Sequence, residues 1–271
     1  MSYSSDVSAN SGALSSKQIF PLIALGLFAG FMSGMFGVGG GIVIVPGLMM
    51  LVGFSQRLAS GTSLATIIPL ASVGVVSYTI NHNVSWVAAL LLAAGAMVGA
   101  RVGTWILARI ALKPLQLFFI GFMLLTMVSL FIVVPSRDAV LVLHVWSVVG
   151  LVILGVVTGL LSGLLGIGGG LIVVPALMII FGASDLVAIG SSLLMMIPAA
   201  ILGTFSNAKN KNVNLRAAAA VGFPACATTF LGSMSAQHIS PKLASIFFAI
   251  FLGLVALQLL YKVLKPAKAD Q

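Results

Sequence analysis

There is no glutamate anywhere in this chain, and aspartate occurs only at positions 6, 138, 185 and 270. Charged residues make up 6% of the sequence, against about 25% in an average soluble domain. All four aspartates read as terminal or loop residues, so no predicted membrane segment carries a carboxylate, and a proton relay of intramembrane carboxylates is unsupported. Cysteine is equally scarce. Cys226 stands alone, which excludes an intrachain disulfide, and its apolar surroundings suit a small buried residue rather than a reactive thiol. The three histidines, His82, His144 and His238, fall near segment ends, where interfacial solvation explains them. No carboxylate pair, H-E-x-x-H run or Ser/His constellation is present, so the chain is not expected to be an enzyme and implies no cofactor or metal.

What remains is apolar. Hydrophobic residues reach 60%, with a mean hydropathy of +1.22 and 30 glycines, the composition of an all-α polytopic membrane protein lying in a lipid bilayer. The net charge of +9 could suggest nucleic acid as a partner, but the basic residues are scattered between apolar segments with no basic face or recognition motif, so none is expected. Residues 1–17 are polar and serine-rich, the composition of a disordered N-terminus. The apolar run after Lys17 continues into a glycine motif without a small-residue cleavage site, and reads as a first membrane segment rather than a signal peptide.

That motif, Gly37-Val-Gly-Gly-Gly-Ile-Val-Ile-Val-Pro46, occurs again as Gly166-Ile-Gly-Gly-Gly-Leu-Ile-Val-Val-Pro175. The offset of 129 also takes Gly61 to Gly190, Ser63 to Ser192, Pro69 to Pro198 and Gly103 to Gly232. Five hydrophobic segments fall in each half. The segments after the glycine runs are too short to cross a bilayer, so two full crossings or a re-entrant hairpin remain open. We divide the chain into a first transmembrane repeat (18–134), a connecting loop (135–139), a second repeat (140–265) and a C-terminal tail (266–271). Gly-xxx-Gly ladders at Gly26/Gly30/Gly34, Gly95/Gly99/Gly103 and Gly155/Gly159/Gly163 read as helix-packing surfaces, and the twelve methionines as packing residues.

Charge predicts that the repeats are inverted. The loop Asn81-His-Asn83 carries no basic residue, while its counterpart has Lys209, Lys211 and Arg216. With both termini cytoplasmic, all of the thirteen Lys and Arg residues except Arg137 and Lys242 fall inside, as positive-inside bias requires. Tyr78, Trp86, Trp105, Trp146 and Tyr261 fall near segment ends, where an aromatic belt would place them.

A glycine run that interrupts an apolar segment leaves backbone N–H groups unpaired, which hydrocarbon tolerates only inside protein or beside a polar cavity. Paired breaks in two repeats mark a transporter's binding site. The candidate substrate contacts are therefore Gly37, Gly39, Gly40, Gly41, Thr62 and Ser63, with Gly166, Gly168, Gly169, Gly170, Ser191 and Ser192 in the second copy. Pro46, Pro69, Pro175 and Pro198 are candidate breaks or kinks, because proline leaves a carbonyl without its helical donor. Half-helix N-termini offer donors and positive dipole ends, which favours an anionic substrate.

The duplicated motif Ser33-Gly-Met-Phe-Gly-Val-Gly-Gly-Gly41 with Gly61-Thr-Ser63, and Ser162-Gly-Leu-Leu-Gly-Ile-Gly-Gly-Gly170 with Gly190-Ser-Ser192, resembles the TauE/SafE family of sulfite exporters, also called the toluene-sulfonate uptake permeases. The resemblance covers the chain after its polar N-terminus. It implies a multi-pass carrier of sulfite, sulfonates, sulfoacetate or other organic anions, in the inner membrane of a bacterial cell. A passive anion channel and a membrane scaffold or receptor subunit are the alternatives. Substrate identity, direction, a coupling ion and assembly as a homodimer stay open.

Overall fold

The computed structural model describes residues 16–107 and 144–264, with residues 117, 120, 121, 123, 124, 127, 128 and 137 between them. The expected fifth segment, about 115–134, therefore lies mostly outside the described residues, as do both terminal tails. Among the described residues there are nine helices and no strand: α1 (Ser16–Phe36), α2 (Gly41–Leu51), α3 (Gln56–Ile80), α4 (Trp86–Leu107), α5 (Val145–Leu165), α6 (Gly170–Ile179), α7 (Asp185–Lys209), α8 (Leu215–His238) and α9 (Pro241–Leu264). All but α2 and α6 are long and apolar enough to cross a membrane. The fold is that of an all-α polytopic membrane protein.

The offset of 129 carries the first residue of each helix from α1 to α4 onto the first residue of α5 to α8. Contacts repeat in the same way. Leu193 Cδ1 would lie 2.7 Å from a Cβ placed on Gly74, and Leu64 Cδ1 2.8 Å from one on Gly203, the same contact after exchange of the two repeats. Along α3, residues 61, 64, 74 and 78 meet residues 207, 203, 193 and 190 of α7. As one number rises the other falls, so these equivalent helices run antiparallel and the repeats are inverted about a pseudo-two-fold axis. The sums of the pairs place the midpoint of the overlap at Pro69 and Pro198. Both prolines lie inside uninterrupted helices.

The glycine ladders explain why the remaining helices pair across the repeats. On α1, Gly26, Gly30 and Gly34 lie against the backbone of Val221, Ala225 and Thr229 of α8. On α5, Gly155, Gly159 and Gly163 meet Leu92, Ala96 and Ala100 of α4. Any side chain there would strike a carbonyl oxygen, so close approach of helix axes requires glycine. Each repeat thus gives its first helix to the other repeat's fourth.

The short helices settle the question of crossings. A Cβ at Gly47 would lie 2.7 Å from Leu25 Cδ2, and one at Gly40 lies 3.1 Å from the Ala29 carbonyl oxygen. So α2 folds back along α1 as a re-entrant hairpin. Its eleven residues rise about 16 Å, half the hydrocarbon thickness. Phe36, at the end of α1, stacks on Phe248 and Phe251 with ring centroids 5.1 and 5.7 Å apart and fixes α9 beside it.

Two expectations are corrected. Tyr78 is not part of an aromatic belt. It is fully buried and its hydroxyl donates to the Gly34 carbonyl at 2.7 Å, whereas Trp86, Trp146 and Tyr261 are exposed. Asp185 is not a loop residue. It opens α7 and is 5% exposed. The two repeats differ here, since the counterpart of Asp185 is Gln56.

Inversion has a direct check. A single cysteine at His82 should be labelled from one face of the membrane, and one at Asn210 from the other. Positive-inside bias places the first of these outside.

Candidate functional site

Glycine sits in each break for two different reasons. At Gly37, Gly39 and Gly40 φ is +68°, +71° and +69°, and at Gly166, Gly168 and Gly169 it is +71°, +90° and +84°. Those left-handed values reverse the chain direction between helices and are costly for any residue with a Cβ. Gly41 and Gly170 are ordinary helical residues, required instead by proximity. A Cβ on Gly41 would sit 2.7 Å from the Gly166 carbonyl oxygen, and one on Gly170 would overlap that of Gly37. The two breaks therefore cross at backbone contact. Since they are exchanged by the pseudo-two-fold, they meet at mid-depth.

Ser63 and Ser192 hold the crossing in place. Ser63 Oγ donates to the Gly166 carbonyl at 3.0 Å, and Ser192 Oγ lies 2.9 Å from the Gly37 carbonyl and 2.7 Å from that of Ile189. Each serine comes from the helix after its own break and binds the break of the other repeat. Thr62 and Ser191 act one residue earlier and elsewhere. Thr62 Oγ1 accepts from Asn214 N at 3.0 Å, and Ser191 Oγ from Ser85 N at 2.9 Å, so they anchor the turns that open α8 and α4. All four hydroxyls are fully buried. The structure brings the eight glycines and Ser63 and Ser192 together, and sets Thr62 and Ser191 on the flanks. Pro46 and Pro175 lie within α2 and α6, past the breaks.

What the crossing leaves unpaired is backbone. Gly40 and Gly169 are the N-caps of α2 and α6 and offer no side-chain cap. Among the described residues, the amides of residues 38–42 and 167–171 donate no hydrogen bond; the next two amides on each side return to the Gly40 and Gly169 carbonyls. These positions are buried. An unpaired amide in such surroundings costs free energy comparable to a lost hydrogen bond, and native proteins rarely leave one without a partner. Five successive N–H groups at each of two facing helix N-termini form a donor-rich centre suited to an anion.

The lid over this centre is apolar. A Cβ on Gly39 would lie 2.6 Å from Met196 Sδ, and one on Gly168 would lie 3.1 Å from Ile67 Cδ1 and 3.2 Å from the same sulfur. Ile67 and Met196 are equivalent residues of the two repeats, both buried. Met196 is the adaptable member of this pair, having an unbranched side chain with three rotatable bonds. One further polar group was missed from the sequence. Ser33 is fully buried and its Oγ has no partner among the described residues, while its carbonyl accepts from Gly37 N at 2.8 Å. It heads the first copy of the duplicated motif, as Ser162 heads the second, and that shared position was the available signal. Among the described residues no group of three or more His, Cys, Asp or Glu could hold a metal ion.

Comparison with known proteins agrees on the kind of molecule. The family "Sulfite exporter TauE/SafE" matches residues 5–143 and 151–271. A "Probable membrane transporter protein YunE" of Bacillus subtilis is 30% identical over 265 residues, covering 89% of this chain and 97% of that protein. A "Probable membrane transporter protein" of Xylella fastidiosa is 30% identical over 203 residues, 73% of this chain and 77% of its own length. An Arabidopsis thaliana "Sulfite exporter TauE/SafE family protein 2" is 26% identical over 120 residues, 43% of this chain and 26% of that one. No solved structure matches.

The serine bridges predict a symmetric loss. Ser63→Ala and Ser192→Ala should each destabilise the protein by about 0.6–1.5 kcal/mol, read as a lower unfolding midpoint in detergent without ligand. Unchanged midpoints in both would show that the bridges do not hold the crossing.

Proposed function

This chain belongs to the sulfite exporter TauE/SafE family of membrane transporters, and we propose that it carries small sulfur-containing or organic anions of the sulfite, sulfonate or sulfoacetate type. In this reading the anion binds at mid-depth between the two glycine breaks, in a bacterial inner membrane with both chain termini cytoplasmic, and is released by alternating access. The observation that carries the proposal is the set of buried amides at 38–42 and 167–171 that find no acceptor among the described residues. An oxyanion with several acceptor oxygens can accept from both helix N-termini at once, and needs no buried Lys or Arg.

The binding roles divide by chemistry. The amides of Gly39, Gly40 and Gly41, and of Gly168, Gly169 and Gly170, are the donors. Ser63 and Ser192 position them by holding the Gly166 and Gly37 carbonyls away from the anion's oxygens. Thr62 and Ser191 tie the helices that carry Ser63 and Ser192 to the turns at Asn214 and Ser85, so a change in the angle between repeats is felt at the site. Met196 must withdraw before the anion can enter. The apolar closure by Ile67 and Met196 favours a carrier over a passive channel, which needs a continuous path.

The test compares glycines of different kinds. Sulfite at about a hundredfold its Kd should stabilise the folded protein by about 2.7 kcal/mol, read as a thermal shift. Gly40→Val and Gly169→Val should abolish that shift, because a β-branched residue resists φ of +69° and +84°. Gly99→Val, which strikes the Val156 backbone between α4 and α5, should lower yield and stability while leaving the shift in place. Wild-type affinity in folded Gly40 and Gly169 variants would move the site elsewhere.

A further inference from the structure

Duplication makes the two ends of the molecule equivalent, so a feature present at one end and missing at its counterpart carries information. The end formed by the last turn of α1, the start of α7 and the end of α8 holds three polar ties. Tyr78 Oη donates to the Gly34 carbonyl at 2.7 Å, joining α3 to α1. Ser77 and Ser233 hydroxyls meet at 2.6 Å, joining α3 to α8. Arg137 donates from Nη1 to the Gln237 carbonyl at 2.7 Å and from Nη2 to those of Ala236 and Ile239. Its Nε faces Asp185 Oδ2 at 3.7 Å, so a cation on the end of α8 is paired with an anion at the start of α7, both favourably placed for the helix dipoles.

At the opposite end Ser77 is matched by Ser206, but two of the tie positions carry other residues. The counterpart of Tyr78 is Asn207, whose side chain donates to the Gly203 carbonyl of its own helix. The counterpart of Asp185 is Gln56. Beside Asp185 lies a cavity lined also by Met35, Phe36, Ile189, Ser245 and Phe248. Ile189, in its wall, packs on the first glycine break: a Cβ on Gly37 would lie 2.9 Å from Ile189 Cα. The Arg137–Asp185 contact is loose: 3.7 Å is within ion-pair range, but Arg137 Nε, though buried, makes no hydrogen bond.

We propose that Tyr78 and the Arg137–Asp185 pair are the gate of this end, shut in the present structure, and that the cavity beside Asp185 is the antechamber of the transport site. The proposal rests on the anion reading of the glycine breaks. When the gate opens, Asp185 leaves Arg137 and the free Nε–H becomes the first donor that an arriving or departing oxyanion meets. The anionic half of the pair would repel the substrate and its cationic half attract it, so the pair must separate for passage.

The experiment places a single reporter, Ala244→Cys, on the cavity wall in a Cys226→Ala background, and measures its labelling rate by a membrane-impermeant maleimide in proteoliposomes. Without anion, Tyr78→Phe and Asp185→Asn should each raise the rate roughly fivefold, the population change expected when one ordinary hydrogen bond or ion pair is lost. Asn207→Ala, at the other end, should leave it unchanged. Sulfoacetate should raise the rate in the parent but not in Arg137→Gln. Folded Tyr78→Phe and Asp185→Asn proteins that label at the parent rate would overturn the gate, whatever sulfoacetate does. So would an Asn207→Ala protein that labels as fast as Tyr78→Phe. Opening by these two variants with no response of the parent to sulfoacetate would uphold the gate and count against the anion reading alone.

Discussion

Two stretches of polypeptide cross in the middle of this protein at a separation that leaves no room for a methyl group. Gly41 lies on the Gly166 carbonyl, and Gly170 on that of Gly37. Backbone with unpaired amides cannot face hydrocarbon, so these crossing strands of irregular chain must be enclosed on every side. The fold supplies that enclosure. The α3–α7 antiparallel pair passes alongside, the short helices α2 and α6 leave in opposite directions, and the α1–α8 and α4–α5 pairs close the flanks. Because the crossing is its own partner under exchange of the repeats, every contact that supports one break supports the other.

Reciprocity also explains which residues can serve the ligand and which serve the frame. A hydroxyl on the helix after a break is positioned to reach the opposite break, not its own, and Ser63 and Ser192 do so. Removing a carbonyl's lone pairs from the centre is as useful to an anion as adding a donor, since an unengaged carbonyl dipole would point its negative end at the same space. In the proposed site the donors are main-chain groups, fixed by φ values near +70° to +90°. Such a site loses little entropy on binding because its polar groups have no rotamers to freeze.

The sequence made much of this legible, for identifiable reasons. The start of each helix in the second repeat follows from the first through the repeat offset of 129, because unbroken apolar runs with polar ends leave little choice. Inversion could be read from basic residues because Lys209, Lys211 and Arg216 have no counterparts after α3. The re-entrant form of α2 could not be read, since eleven apolar residues fit a half-crossing in either direction. Nor could the hydroxyl roles: Thr62 and Ser63 are adjacent in sequence, yet one faces a turn of α8 and the other a glycine break, because successive helical residues point about 100° apart. Tyr78 was misassigned because an aromatic residue near a helix end satisfies the belt pattern whether it faces lipid or protein. Asp185 was misassigned because a residue beside the turn Gly182-Ala-Ser184 looks solvated until Arg137, distant in sequence, is brought against it.

Symmetry and direction pull against each other in such a molecule. A carrier with two identical halves has no preferred state: any arrangement closed at one end has a mirror arrangement, of equal energy, closed at the other. Only residues that differ between the copies can set which one is populated. The glycine motifs and Ser63/Ser192 are the same in both, so they cannot bias the equilibrium, however tightly they bind. The bias has to lie in substitutions such as Tyr78 against Asn207 and Asp185 against Gln56, whose bonds in this structure fall at one end. Each is worth on the order of 1 kcal/mol, and two or three such ties shift a balanced equilibrium by one to two powers of ten. A modest ligand-binding energy can still reverse that, which is the condition for a carrier that rests shut at one end and yet turns over.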